Sequence, residues 1–366
     1  MSDSSSPVQG AMTDALRTVM EPSAGRDVIT LGLLRNLAFH EGVVQVTYEL
    51  PAAIANEATT RHLRQASVAA LRNVKSVKMV NVEFAVREAR PQPTGAPLPG
   101  VRHVIAVGAG KGGVGKSTIA VLAAVGLQRR GLRVGLLDGD VYGPSIPKLT
   151  GTEGAEPRPC ADGRVSPPEF DGIKVLSMGY LVAPDQAIVW RGPMAQKYVK
   201  EFIDRGDWGE LDVLIVDLPP GTGDIPLTLA QTIPLTGAVV VCTPQDVALL
   251  DAVRALRMYE KLGVTPLGII ENMSYYVCPH CGRREEIFSH GGAEKAARDL
   301  GVAFLGAIPL NISIRIHGDD GRPSACFAKI EPSVIAALDE FVDRLLSAIR
   351  QREQDAAPPP TLRVSG

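Results

Sequence analysis

The segment Gly110-Lys111-Gly112-Gly113-Val114-Gly115-Lys116-Ser117-Thr118 combines residue types and spacing that suit a triphosphate. Glycines let the backbone wrap around phosphate oxygens with its N–H groups pointing inward, a path that side chains would obstruct. An apolar strand precedes the loop, and a helix of about four turns follows it and stops at Gly131. That helix adds partial positive charge at its first turn. Lys116 is placed to lie along the β and γ phosphates, and the Ser117 hydroxyl to ligate magnesium. A glycine turn without a ligand would not need Lys-Ser at the start of its helix.

Carboxylates follow two further apolar runs. Asp138-Gly139-Asp140 and Asp217 (in LIVDLPPGTGD) stand where strand ends would carry them to the same edge of a sheet. There they can hold magnesium, directly or through its water, or orient an attacking water. Asp138 and Asp217 are the expected magnesium residues; Asp-Gly can also simply form a turn. Cys278-Pro-His-Cys281 is a third constellation, because a C-x-x-C turn brings two thiolates to one side. Two cysteines are half a site. Tetrahedral zinc and a cubane cluster each need four ligands, from His280 and His290 nearby or from a second chain. Disulfide exchange is a weaker reading, since no thioredoxin-like context surrounds the pair. Cys160, Cys242 and Cys326 have no partner at ligand spacing and read as structural.

The elements that must position these residues are legible as apolar runs. Val101–Val107, Val134–Leu137, Val213–Leu218, Ala238–Cys242, Leu267–Ile270 and Ala303–Ile308 look like buried parallel strands separated by helical segments. The expected class is α/β, a doubly wound, mostly parallel sheet of the P-loop NTPase type over residues 101–350, with ligands at the carboxyl ends of its strands. Upstream, residues 25–87 read as a small α/β domain. Strands are expected at Val43–Leu50 and Val77–Phe84, with a helix over Asn56–Asn73. A proline-rich linker spans 88–100, and residues 1–24 and the tail 351–366 are expected to be mobile. The last helix, Pro332 to about Arg350, sets Val334, Ile335, Leu338, Phe341, Val342, Leu345 and Ile349 on one face, as for packing on the sheet.

Thirty-eight basic residues stand against 40 acidic ones, a formal charge of −2, so no overall positive field favours nucleic acid or an anionic membrane. No apolar run reaches the roughly 20 residues of a membrane span, and MSDSSSPVQG lacks a secretory pattern. Five cysteines, an odd number, fit a reducing compartment, and a cytoplasmic location is expected.

GKGGVGKST resembles the deviant Walker A motif of the MinD, ParA, arsenite-pump and nitrogenase iron-protein superfamily. That resemblance implies that Lys111 crosses a homodimer interface to the partner's nucleotide, where it offsets charge like an arginine finger. It further implies that Asp140 orients water, that Pro219-Pro220-Gly221 senses the γ phosphate, and that Asn272 contacts adenine. Together with DGDVYGPSIP, WRGPM and ENMSYYVCPHCG, the pattern from about Asp27 to the final helix is similar to the Mrp/ApbC family of iron–sulfur cluster carrier ATPases. Membership implies ATP and magnesium as cofactors and a [4Fe–4S] cluster bridged by the Cys278–Cys281 pairs of two subunits. Apo iron–sulfur proteins and assembly factors are the implied partners, with no nucleic acid and no membrane. A MinD- or ParA-like spatial regulator and an ATP-coupled reductase are the alternatives. The N-terminal domain departs from its relatives in having no cysteine, so it is expected to dock partners or regulate rather than supply a thiolate.

Overall fold

The computed structural model describes all residues except 1–6, 23–24, 32, 41, 52–53, 76, 88–97, 182–191, 279 and 357–366. The chain divides into two compact units, Met1–Arg90 and Pro91–Gly366, each with its own core. Most of the expected linker and the Trp190-Arg191 part of WRGPM lie outside the described residues.

In the first unit, helix α1 (Pro7–Leu16) is followed by strands β1 (Leu34–His40) and β2 (Val43–Pro51), helix α2 (Glu57–Arg72) and strand β3 (Met79–Arg87). The sheet runs β1-β2-β3, antiparallel then parallel, with α2 as the crossover between the parallel pair. Asn56 starts α2 by accepting the Thr59 N–H at 2.9 Å, satisfying one of the helix's unpaired donors. Leu63 and Leu71 are buried against Val44, Val46 and Tyr48, and the Tyr48 hydroxyl is hydrogen-bonded to Ser67 at 2.7 Å. Two expectations need correcting. Residues 7–22 are not an irregular leader: α1 supplies Met12 and Leu16 to this core, both fully buried. And β1, whose LRNLAFH lacks clean alternation, is a strand the sequence pattern did not reveal.

The second unit holds seven parallel strands: β4 (Val101–Ala109), β5 (Val134–Asp138), β6 (Ile173–Ser177), β7 (Leu211–Asp217), β8 (Gly237–Cys242), β9 (Pro266–Val277) and β10 (Phe304–Leu310). Their order is β6-β5-β7-β4-β8-β9-β10, with two-residue antiparallel strands added at Glu169–Phe170 and Arg284–Glu285. All residues of β5 and β8 are buried because helices cover both faces. One face packs against α3 (Lys116–Arg129) and α10 (Pro332–Ala356). The other packs against α5 (Gly192–Arg205), α6 (Asp224–Thr232), α7 (Asp246–Lys261) and α8 (Gly292–Leu300), which α4 (Ile146–Thr150) and α9 (Ile312–Asp319) supplement at the strand ends. The α/β, mostly parallel architecture is therefore as expected.

α10 carries Val334, Leu338, Phe341, Val342, Leu345 and Ile349 into the core, whereas Ile335 is only half-buried. The helix outlasts its expected end near Arg350 by more than a turn. Glu353 in that extra turn meets His103 Nε2 at 2.7 Å and Arg102 at 3.3 Å, tying it to the start of β4. No described helix is long and apolar enough to cross a membrane.

Candidate functional site

Central strand β4 delivers the glycine loop directly to the N-terminus of α3. Gly115, the residue before Lys116, has φ 81°, a left-handed conformation that favours glycine. A Cβ there would also drive into the Asn272 amide, so both backbone and packing require its absence. Gly110 lies equally close to the Asp251 backbone of α7. The Val114 side chain turns into the core, while its carbonyl accepts from Asn272 Nδ2 at 2.9 Å. The rest of Lys111–Thr118 lines a hollow of about 290 Å³ with Asp140 and Pro220.

Lys116 is buried, with Nζ 2.5 Å from Asp217 Oδ1 and 3.5 Å from Asp140 Oδ2. The Ser117 hydroxyl donates to the other Asp217 oxygen at 2.5 Å. The structure thus brings Lys116, Ser117, Asp140 and Asp217 together at one sheet edge, although 100 residues separate Ser117 from Asp217. Burial raises the Asp217 pKa, opposed by the ammonium and hydroxyl it accepts from. Lys111 is half-buried and, unlike Lys116, meets no carboxylate among the described residues.

Asp138 sits differently from the expectation of a magnesium ligand. It is fully buried, and its oxygens accept from Asp140 N–H at 3.1 Å, Ile146 N–H at 3.2 Å and the Ser177 hydroxyl at 2.9 Å. Burial and then the Asp217 charge push its carboxyl up to about 7. In this arrangement Asp138 organises the loop that carries Asp140. Gly221 N–H in turn bonds the Ala109 carbonyl at 2.8 Å, setting the Pro219-Pro220-Gly221 turn against the start of the glycine loop.

Beside the phosphate hollow lies a larger, mostly apolar one of about 500 Å³. Thr118 belongs to both, and Asn272, Met273, Tyr276 and the turn from Pro309 to Ile312 complete much of its wall. Sequence reasoning found Asn272 here but missed Tyr276 and the Pro309 turn, whose residue types carry no motif.

The cysteines crown a hairpin. β9 continues past its expected end at Ile270 to Val277, and Arg284–Glu285 pairs back onto Tyr276 and Val277. Cys278 closes the turn by donating its N–H to the Arg283 carbonyl and accepting the Gly282 N–H at its own carbonyl, both at 2.9 Å. Backbone N–H donors of Cys281 and His280 lower the Cys278 pKa, favouring the thiolate that binds metal. Cys278 is half-buried and Cys281 exposed. His290 is engaged elsewhere: its Nδ1 lies 2.6 Å from the Ser274 hydroxyl, and its ring meets Tyr275 edge-on. Among the described residues no group of three metal-binding side chains forms, so the zinc arrangement with histidine finds no support. Cys242 and Cys326 are buried in the core, where burial raises their thiol pKa.

The family model described as NUBPL iron-transfer P-loop NTPase matches residues 100–346, and that of iron–sulfur cluster assembly proteins matches residues 10–84. The chain belongs to the NUBPL iron-transfer P-loop NTPase family. Among its relatives, the iron–sulfur cluster carrier protein of Deinococcus radiodurans is 43% identical over 351 residues, 95% of this chain and 97% of that one. A nucleotide-binding protein of Archaeoglobus fulgidus, solved in complex with ADP, is 39% identical with a TM-score of 0.57, covering 64% of this chain and 91% of its own. MinD of Pyrococcus furiosus, 20% identical with a TM-score of 0.50 over 67% of this chain and 98% of its own, shares the fold.

Proposed function

We propose that this chain is an ATP-dependent carrier that holds a [4Fe–4S] cluster between two copies of itself and passes it to apo iron–sulfur proteins. The observation that carries this reading is the Cys278–Cys281 turn, two thiols on a hairpin beside a complete phosphate loop, with no third ligand among the described residues. A four-thiolate cluster needs two such turns. The names of the cluster carrier relatives support the cargo.

ATP is the substrate whose phosphates suit the 290 Å³ hollow, and its base suits the 500 Å³ hollow at Asn272. On binding, Lys116 exchanges its carboxylate partners for phosphate oxygens. Ser117 and Asp217 are the residues suited to magnesium, which neutralises phosphate charge when bound. Asp140 stands close enough to Lys116 to orient water at the γ phosphate. Lys111, with its charge unpaired among the described residues, is the cation that reaches the partner's nucleotide.

Anaerobic reconstitution with iron and sulfide, followed by absorbance, tests the cargo. The wild type should gain a charge-transfer band that a Cys278→Ala/Cys281→Ala variant lacks; identical spectra without the band reject the carrier. Sedimentation of the ATP-loaded, reconstituted protein as a single chain would reject the shared site.

A further inference from the structure

From Tyr275 to His290 none of the described residues is buried, so the cysteine hairpin has no core of its own. What anchors it lies at its neck. The Glu271 side chain is fully buried on β9, and its two oxygens join both ends of the hairpin. Oε1 accepts the Ser274 hydroxyl at 2.6 Å on the entering strand and the Gly291 N–H at 3.0 Å on the leaving chain. Oε2 accepts the Ala293 N–H at 2.9 Å in the first turn of α8. Ser274 has a single hydroxyl proton and gives it to Glu271, so the 2.6 Å contact with His290 requires Nδ1 to be the donor. A carboxylate buried this completely persists only when its lone pairs are satisfied, and here every donor belongs to the neck.

Three other residues of the same strand, Asn272, Met273 and Tyr276, touch the nucleotide site. Asn272, next to Glu271, holds the Val114 carbonyl of the phosphate loop. Met273 has φ 55°, a left-handed conformation that is strained for this residue type, and lines the 500 Å³ hollow. Tyr276, two residues before Cys278, lines that hollow too and pairs with Glu285 across the hairpin. An over-determined backbone between two sites is where occupancy of one can alter the other.

We propose that Glu271 is a positioning residue that clamps the neck of the Cys278–Cys281 hairpin, and that nucleotide occupancy reaches the thiols through this neck by way of Asn272, Met273 and Tyr276. The proposal deepens the carrier reading by naming what couples its two sites. It also survives independently, because its test uses the apo chain without a cluster. A failed reconstitution strikes the cargo alone.

The measurement is the rate of iodoacetamide modification of Cys278 and Cys281, followed by mass spectrometry of their peptide so that Cys160 does not interfere. With saturating ADP and magnesium the wild-type rate should change by about fivefold or more, the lower end of ordinary site-to-site coupling. In Glu271→Gln the rate without nucleotide should rise and the response to ADP should vanish, while ADP still binds and the second unit still melts cooperatively. Should Glu271→Gln fail to fold, Ser274→Ala and His290→Gln loosen the same neck less severely and are read the same way. A wild-type rate indifferent to ADP overturns the proposal. So does a folded neck variant whose rate and response match the wild type.

Discussion

Two lysines of one loop, Lys111 and Lys116, stand five residues apart in sequence and in different surroundings. Lys116 is buried, its ammonium held between Asp217 and Asp140. Lys111 is half-buried with no carboxylate beside it among the described residues. Replacing Lys116 by Ala should remove the charge that accompanies the transferring phosphoryl group and lower ATP turnover by at least about 100-fold, a typical loss for one preorganised donor. Lys111→Ala should also suppress turnover by about 100-fold or more if the lysine acts as a finger in the partner's site. Phosphate release measured against protein concentration separates the two: mixing Lys111→Ala with Lys116→Ala chains should restore part of the activity in mixed dimers. Full activity of Lys111→Ala alone would remove the trans role. The grouping of these residues at one strand end was legible because glycine, lysine and serine at fixed spacing have few other uses. Glu271 was not, although a charge directly after the apolar run Leu267–Ile270 was a signal that something buried must satisfy it.

At the scale of elements, the apolar runs gave away the buried strands, whereas short or polar elements needed tertiary context to form. β6 has five residues with a lysine among them and is fixed by pairing with β5, and α1 shows its role only once Met12 and Leu16 are seen in a core. The acidic side of α10 has a specific use: Arg130 at the end of α3 meets Asp339 at 2.8 Å and Asp343 at 2.9 Å. α3 packs closely on α10 at Gly126, where a Cβ would overlap the Val342 side chain. Gly126→Ala should gain roughly 1 kcal/mol of helix propensity yet lose about 1–3 kcal/mol to overpacking, and so lower the midpoint of thermal unfolding. Combining it with Val342→Ala should cost less than the sum of the single changes, and strict additivity in that cycle would show that the two positions do not touch. Asp212 ties the start of β7 to Arg133 at 3.0 Å and to Arg102 at 3.9 Å. The Arg133 hydrogen bonds hold its carboxyl down to about 2. A depressed carboxylate stabilises the fold above its ordinary pKa of 3.8, and that contribution is lost as pH falls towards about 2. Asp212→Asn should therefore lose about 1 kcal/mol near neutrality, after allowance for solvent screening, and almost nothing at about pH 2. Denaturant titrations of both proteins across that range check the sign.

Viewed as a whole molecule, the chain pairs a small unit that has no cysteine with a larger one that carries all five, and the core of the first shares no residue with the two core clusters of the second. The polarity of residues 88–100 made the division readable, because a proline-rich stretch without periodicity cannot continue a strand or helix. The lower limit of the first unit was not readable, since the serines of residues 1–6 mask an amphipathic helix directly behind them. Independent cores predict independent melting. A ligand that binds only the folded second unit stabilises that unit by mass action, about 2.7 kcal/mol at 100 times its dissociation constant. ADP with magnesium should thus raise the transition of the larger unit by about 5–8 °C, given the modest entropy of unfolding per residue, and leave the transition of the smaller unit in place. Scanning calorimetry of the full chain with and without ADP reads both transitions at once, and a chain containing residues 98–356 alone should show the same ADP-dependent shift. One transition that moves as a unit with ADP, or loss of the shift when residues 1–97 are removed, would mean that the small unit contributes to nucleotide binding and that the two cores do not act separately.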